Sequence, residues 1–348
     1  MDRTVRLKRD LRQSPAGLRL DVGEATHIGQ RQTNEDSSYS EPLMAALVSE
    51  RGALFAVADG MGGAAAGEVA SATAVDVVLR HLRERFADQR AVTPADLASE
   101  LARAAEKANW SIFQQAANKP ELRGMGTTAT IAALLNDTLY LAQVGDSRAY
   151  LIRGGTATQL TKDQSLMQKL IEAGELTEEE AKLSERRNII LQALGPEANV
   201  KVDVTMQPLR RGDVLLLCSD GLSGLVRPDD MARVVEEELD LSVACDRLVA
   251  MANDQGGPDN ITVVAARFEG RGLVVPRTAD EVGYREFSPA PPVDEGIVPP
   301  GHADDVTQPW PVTVPVDEER RRRGRLYSRL IFALGVLILL WAAWRLSA

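Results

Sequence analysis

Two hydrophobic rhythms alternate along this chain. Short runs rich in Val, Ile, Leu and Thr recur at 18–26, 53–58, 129–135, 138–144, 200–206, 213–219 and 261–268. Each is bounded by turn-forming residues, the signature of a strand. Longer segments repeat apolar residues every three or four positions, the period of a helix. One covers 68–86 and places Val69, Thr73, Val77, Leu79 and Leu82 near one face. A second covers 94–117, with Thr93 as N-cap and Pro94 in the first helical position. Its apolar stripe is Leu97, Leu101, Ala105, Ala108 and Ile112. A third, 241–253, repeats the pattern through Ala244, Leu248 and Met251. Only Asn136-Asp137 separates two of the strands. That is too short for a parallel crossover, so antiparallel pairing is expected.

These rhythms stop near residue 270. Nine of the seventeen prolines fall between Pro276 and Pro315, among more acidic than basic residues and with no hydrophobic period. The segment 271–325 is expected to be an extended linker. It ends in Arg320-Arg321-Arg322-Arg323 and Arg325, and an uncharged run, 330–344, follows. Those fifteen residues rise roughly 22 Å as a helix. Extending the helix to 326–348, with Arg329 and Arg345 reaching outward, gives a length that can span a bilayer of about 30 Å. Tyr327, Trp341 and Trp344 sit where interfacial aromatics belong. The arginine run marks the cytoplasmic side of a single pass. The expected domains are thus a flexible N-terminus at 1–17, a globular domain at 18–270, the linker at 271–325 and a transmembrane helix at 326–348.

Charge and cysteines narrow the setting. A net charge of −10 argues against binding nucleic acid, which needs clustered positive charge. Cys218 and Cys245 fit neither a CxxC nor a zinc pattern. Cys218 lies in an apolar run and reads as a buried small hydrophobe, and a reducing compartment is expected. The N-terminus carries Arg3, Arg6, Lys8, Arg9 and Arg12 rather than the apolar stretch of a secretory signal. His27, His81 and His302 have no partner pattern and read as structural.

The candidate chemistry lies in the carboxylates. Asp59, Asp146 and Asp220 each follow an apolar strand, and Asp259 precedes one. Any one alone would read as a turn residue. Carboxylates at several strand ends of one rigid scaffold can instead build a site for hard divalent cations. Glycines accompany all four, in Asp59-Gly60-Met61-Gly62-Gly63, Gly145-Asp146, Asp220-Gly221 and Gly256-Gly257-Pro258-Asp259. Glycine lets backbone approach an ion or a phosphate closely.

The ordered set Arg31-x-x-Asn34-Glu35-Asp36, Val57-Ala58-Asp59-Gly60-Met61-Gly62-Gly63, Gly124-Met125-Gly126-Thr127-Thr128, Gly145-Asp146-Ser147-Arg148, Leu160-Thr161-Lys162-Asp163, Leu217-Cys218-Ser219-Asp220-Gly221-Leu222 and Gly257-Pro258-Asp259-Asn260 resembles the metal-dependent protein phosphatases of type 2C in their bacterial form. The resemblance implies an α+β fold, an αββα sandwich of two mainly antiparallel sheets flanked by helices. It implies hydrolysis of phosphoserine and phosphothreonine by a water bridging two Mn²⁺ or Mg²⁺ ions, with a third ion possible. By the same resemblance Asp59 bridges both ions, and Asp220 and Asp259 complete the first. The Gly60 carbonyl belongs to the second, which Glu35 and Asp36 hold largely through water, and Asp146 with Asp220 forms the third, weaker position. Arg31 clamps the substrate phosphate, since guanidinium forks match phosphate oxygens. Asn260 orients Asp259 or a bound water. The implied partners are phosphorylated proteins, including serine/threonine kinases, with the chain a monomer on the membrane.

The chain departs from the family at several positions. Met61 stands where some relatives carry a histidine able to donate a proton, so the leaving alkoxide must take its proton from water. Gln164 replaces another frequent histidine. Ser184-Glu185 replaces a His-Pro in 164–194, the segment that resembles the mobile flap beside the site. Three rival readings are a catalytically dead phosphoprotein-binding module, a dedicated regulator of anti-sigma factors on the same fold, and a lipid-binding scaffold. A dead module should lack a carboxylate, and none is missing. The flap and the Gly126-Thr127-Thr128 and Gly145–Arg148 motifs favour a general protein phosphatase over the anti-sigma regulator.

Overall fold

The computed structural model describes residues 18–42, 52–62, 66–86 and 92–287, with strand fragments at 5–6 and 12–13. The expected membrane helix and the linker from 288 onward lie outside the described residues. In chain order the strands are β1 (Val5–Arg6), β2 (Arg12–Gln13), β3 (Leu18–His27), β4 (Ser37–Pro42), β5 (Gly52–Ala58) and β6 (Gly60–Met61). Helices α1 (Ala66–Phe86) and α2 (Pro94–Asn118) follow. Then come β7 (Gly126–Thr127), β8 (Ala129–Leu135), β9 (Thr138–Val144), β10 (Arg148–Arg153) and β11 (Thr156–Gln159). Helices α3 (Leu166–Glu172) and α4 (Glu178–Leu183) lie in the flap, before β12 (Asp203–Pro208) and β13 (Val214–Cys218). The order ends with α5 (Asp220–Ser223), α6 (Pro228–Glu237), α7 (Leu241–Asp254) and β14 (Ile261–Gly270).

Two sheets form, antiparallel throughout as the short connections require. One runs β1-β3-β14-β13-β10-β11, with β2 also on β3; the other runs β12-β9-β8-β5-β4. Strand periodicity explains the layers. In β5, Ala53, Phe55 and Val57 point between the sheets, where they meet Leu20, Leu141, Leu217 and Phe268. Leu54, Ala56 and Ala58 point the other way, against α1 and α2. The outer face of the first sheet packs on α6 and α7 through Leu216, Met231, Ala244 and Leu248. Central strands buried on both faces read as unbroken apolar runs in sequence, as these do. Phe55 and Phe268 meet edge to face between the sheets, with ring centroids 6.3 Å apart. The αββα sandwich implied by the resemblance is thus the observed architecture.

Helix α2 matches its sequence pattern. Thr93 caps it with Asp96 in a reciprocal capping box, Pro94 opens it, and the five expected stripe residues are buried. Helix α1 needs a correction. Its buried face is Ala66, Ala70, Ala74, Val78 and Leu82, while Val69, Val77 and Leu79 are only partly covered. Alanines win this face because they let α1 pack closely against the sheet and α2. The α1–α2 contact also buries Glu100, which bonds His81 at 2.8 Å and Arg103 at 2.8 Å. Lys107 meets the other His81 nitrogen at 2.9 Å, so this histidine has structural partners.

Among the strands of four residues or more, β4, β10 and β11 escaped the hydrophobic pattern. β4 is polar because Ser38 and Ser40 donate to the buried Glu24 of β3. β10 begins inside the Gly145–Arg148 motif, and β11 is a short edge strand. Beyond β14, packing continues past the expected domain end at 270. Phe287 N–H donates to Val204 O at 2.8 Å, and Arg285 O accepts from Met206 N–H at 3.0 Å. The β12 edge offered unpaired backbone groups, and the chain returns to cover them. Cys218 and Cys245 are both buried free thiols.

Candidate metal centre

The acidic residues converge because the strands bearing them share one end of the sandwich. Arg31, Glu35 and Asp36 lie between β3 and β4, and Asp59 lies between β5 and β6. Asp146 sits in the β9–β10 turn, Asp220 opens α5, and Asp259 and Asn260 precede β14. The backbone around them is tied on every side. Asp59 N–H donates to Thr128 Oγ1 at 2.9 Å, and Asp59 O accepts from Thr128 N–H at 2.9 Å and from Thr127 Oγ1 at 2.8 Å. Asn260 Oδ1 accepts from Glu35 N–H at 2.8 Å, while its Nδ2 donates to Ile28 O and Thr33 O. Asn260 therefore positions the Glu35–Asp36 loop against β14. Gly60 admits no side chain, since a Cβ there would lie 2.3 Å from Gly67 O and 2.5 Å from Glu35 O. Gly145 adopts a φ of 98°, a region that favours glycine, and delivers Asp146 into the cluster.

The cluster is strongly acidic and half-buried, with Asp146 the most deeply buried. Burial, then Asp36, Asp220 and Asp146 in turn, push Asp59 well above the usual carboxylate range. Burial pushes Asp36 and Asp146 up to about 7, with Asp220 as a further repelling charge on each. Asp220 is also raised, by burial and then by Asp259. Glu35 is raised by burial although Arg31 opposes the shift. Arg31 Nη2 donates to Asp259 Oδ2 at 2.6 Å, so the expected phosphate clamp rests on an expected ion ligand.

Among the described residues no three carboxylate, imidazole or thiolate groups stand in a closed ligand shell. The donor set nevertheless fits hard cations. Several carboxylates repel one another there, and Asp36 Oδ1 and Asp146 Oδ1 are buried with no hydrogen-bond partner. A buried acceptor left unmatched costs free energy that a cation would recover. The structure thus gathers every acidic residue singled out in the sequence and sets Arg31 beside them. Met61 pairs with Gly126 in the small β6–β7 ribbon and carries no titrating group. Gln164 braces the Asp146 turn. Its Oε1 accepts from Gly145 N–H at 2.9 Å, and its Nε2 donates to Asp203 at 2.9 Å.

Sequence reasoning assigned no role to Thr128 or Ser147, whose hydroxyls meet at 2.7 Å between Asp59 and Asp146. It also passed over Ser219, which donates to Asp36, and the Thr26–Thr262 hydroxyl pair behind it. Their signal was faint: hydroxyl residues in otherwise apolar strands, each next to or opposite a motif.

A sandwich of this kind with a carboxylate cluster at one end defines a metal-dependent hydrolase class, and comparison with known proteins agrees. The model of the family described as Protein phosphatase 2C matches residues 24–255. The serine/threonine phosphatase stp of Listeria welshimeri is 40% identical over 208 residues, covering 60% of this chain and 81% of its own length. The serine/threonine protein phosphatase PstP of Mycobacterium tuberculosis is 40% identical over 237 residues, 68% of this chain and 42% of that longer protein. Among solved structures, the catalytic domain of PstP in complex with two manganese ions superposes with a TM-score of 0.61 at 38% identity, covering 72% of this chain and 99% of that one. The Streptococcus agalactiae serine/threonine phosphatase gives 0.64 at 34% identity, covering 71% and 99%. The chain belongs to the protein phosphatase 2C family. It is a protein serine/threonine phosphatase.

Proposed function

We propose that this chain removes phosphate from phosphoserine and phosphothreonine in proteins, serine/threonine kinases among them, and acts as a monomer. The carrying observation is the convergence of Asp36, Asp59, Asp146, Asp220 and Asp259 beside Arg31, with two buried carboxylate oxygens unmatched. Two Mn²⁺ or Mg²⁺ ions, when bound, supply an activated water and offset the charge of the phosphate monoester. Asp59, Asp220 and Asp259 would hold one; Asp59 and the Gly60 carbonyl would hold the other, with Glu35 and Asp36 acting largely through water. Asp146 with Asp220 offers a third position. Arg31 is half-exposed, so its guanidinium can leave Asp259 and bind phosphate oxygens. Met61 cannot protonate the leaving alkoxide, and that proton comes from water. Asp220→Asn tests the reading. Turnover of p-nitrophenyl phosphate in Mn²⁺ is expected to fall about 100-fold or more. Turnover near the wild-type rate, or full wild-type activity in a chelator, would overturn it.

We also propose that residues 326–348 hold the enzyme on the membrane with the catalytic domain on the cytoplasmic side. The uncharged run 330–344 and the preceding arginines support this reading. The full chain should resist extraction from membranes by high salt, because apolar burial is not screened. Release by salt would assign the attachment to the arginines instead.

A further inference from the structure

One hydroxyl bonds Asp36, and a pair of threonine hydroxyls stands behind it. Thr262 N–H donates to Ser219 Oγ at 3.0 Å, and Ser219 Oγ lies 2.8 Å from Asp36 Oδ2. An ionised carboxylate only accepts, so the single hydroxyl proton of Ser219 points to Asp36. The support behind it starts at Asn34, whose Nδ2 donates to Thr26 Oγ1 at 2.8 Å. Thr26 Oγ1 and Thr262 Oγ1 are 2.7 Å apart. This pair holds Thr262, whose backbone N–H in turn holds Ser219 on Asp36. These two threonines are direct partners in the β3–β14 ladder, and the strand register therefore sets the pair. Asn34 closes the circuit, since its Oδ1 accepts from Asp36 N–H at 3.2 Å.

Ser219 and Thr262 are fully buried, where water does not compete for these bonds. Asp36 Oδ1 is equally buried and has no partner. A carboxylate free to rotate would have to be ordered each time it met a cation. Here Ser219 and its support are arranged to do that ordering in advance. We propose that Ser219, Thr262 and Thr26 are positioning residues for the cation site, fixing the rotation of Asp36 so that Oδ1 is the oxygen it offers. The inference rests on the assignment of Asp36 to an ion made above.

Calorimetric titration of the full chain with Mn²⁺ alone tests it, alongside thermal unfolding in chelator. Ser219→Ala removes the hydroxyl bonded to Asp36 and should weaken Mn²⁺ binding about tenfold. Thr262→Val keeps the shape and the backbone N–H but breaks the hydroxyl pair behind Ser219, and should lose less. Thr262→Ser retains the hydroxyl and should stay close to wild type. Thr26→Val breaks the same pair and serves as the test if Thr262→Val does not fold. Wild-type affinity in Ser219→Ala would overturn the proposal. Equal losses in Thr262→Val and Thr262→Ser would do so too, since packing alone would then explain them. A wild-type chain that binds no Mn²⁺ would remove the site assignment itself, an outcome distinct from these.

Discussion

The two ends of the sandwich both bury aspartates, and they treat them oppositely. At the end away from the cluster, Asp213 is almost wholly buried and receives Arg153 through two bonds of 2.8 and 2.6 Å and Arg210 N–H at 2.7 Å. Nearby Asp280 takes a two-bond grip from Arg210, which holds its carboxyl well below the usual range. At the cluster end, five aspartates share one nearby arginine contact, between Arg31 and Asp259. Their neighbours are mainly hydroxyls, amides and each other. Paired carboxylates tie the fold together. Carboxylates gathered with too little counter-charge await positive charge from outside, which is what a divalent-ion site requires.

Breaking the paired end should have the largest effect. Asp213→Ala strands the Arg153 guanidinium, itself buried, and should cost about 3–5 kcal/mol in denaturant unfolding. Turnover per folded molecule should change little. A loss of turnover at full stability would erase the contrast between the ends. Arg31→Ala should come next, lowering kcat/KM on a phosphopeptide about 10- to 100-fold, the range of charge-assisted bonds. Its Mn²⁺ affinity should hold or tighten, because a positive neighbour of the ligands is gone. Weaker Mn²⁺ binding would mean that Arg31 serves the ions rather than the phosphate.

A third substitution should change stability in the opposite direction from Asp213→Ala. Asp59→Asn removes one of several mutually repelling buried charges, and should stabilise the metal-free protein by about 1–2 kcal/mol while abolishing activity. Destabilisation in chelator would show that Asp59 is already matched within the fold. The smallest effect is that of pH. Asp36 and Asp146 have folded values near 7, above the ordinary carboxylate value. A raised group binds its proton more tightly when folded, so its contribution favours the fold at low pH and declines as pH rises toward 7. The thermal midpoint in chelator should fall between pH 5 and 7.5 for wild type, with a shallower slope in Asp36→Asn. With Mn²⁺ present the trend should reverse, since cations need deprotonated ligands. An unchanged slope in Asp36→Asn would place the titration elsewhere.

Much of this molecule was legible in its residues. Strands buried on both faces, such as β5, β8 and β13, appear as unbroken apolar runs because nothing polar is tolerated on either side. Helix α2 carries its own start signal in Thr93, Pro94 and Asp96. The acidic residues stood out because an aspartate at the tip of an apolar strand is conspicuous. Resemblance then joined what spacing alone could only collect. Other features were decided by tertiary packing. The polar strand β4 exists because Glu24 lies opposite its serines, and the burial of alanines on α1 follows from the surfaces that meet it. The return of residues 273–287 along β12 required an open sheet edge. Arg31 on Asp259, Ser219 on Asp36 and Thr26 on Thr262 join residues 183 to 236 positions apart. Local pattern reports what one residue asks of its immediate surroundings. Which distant donor answers a buried carboxylate is settled only when the sheets pack and their strands take register.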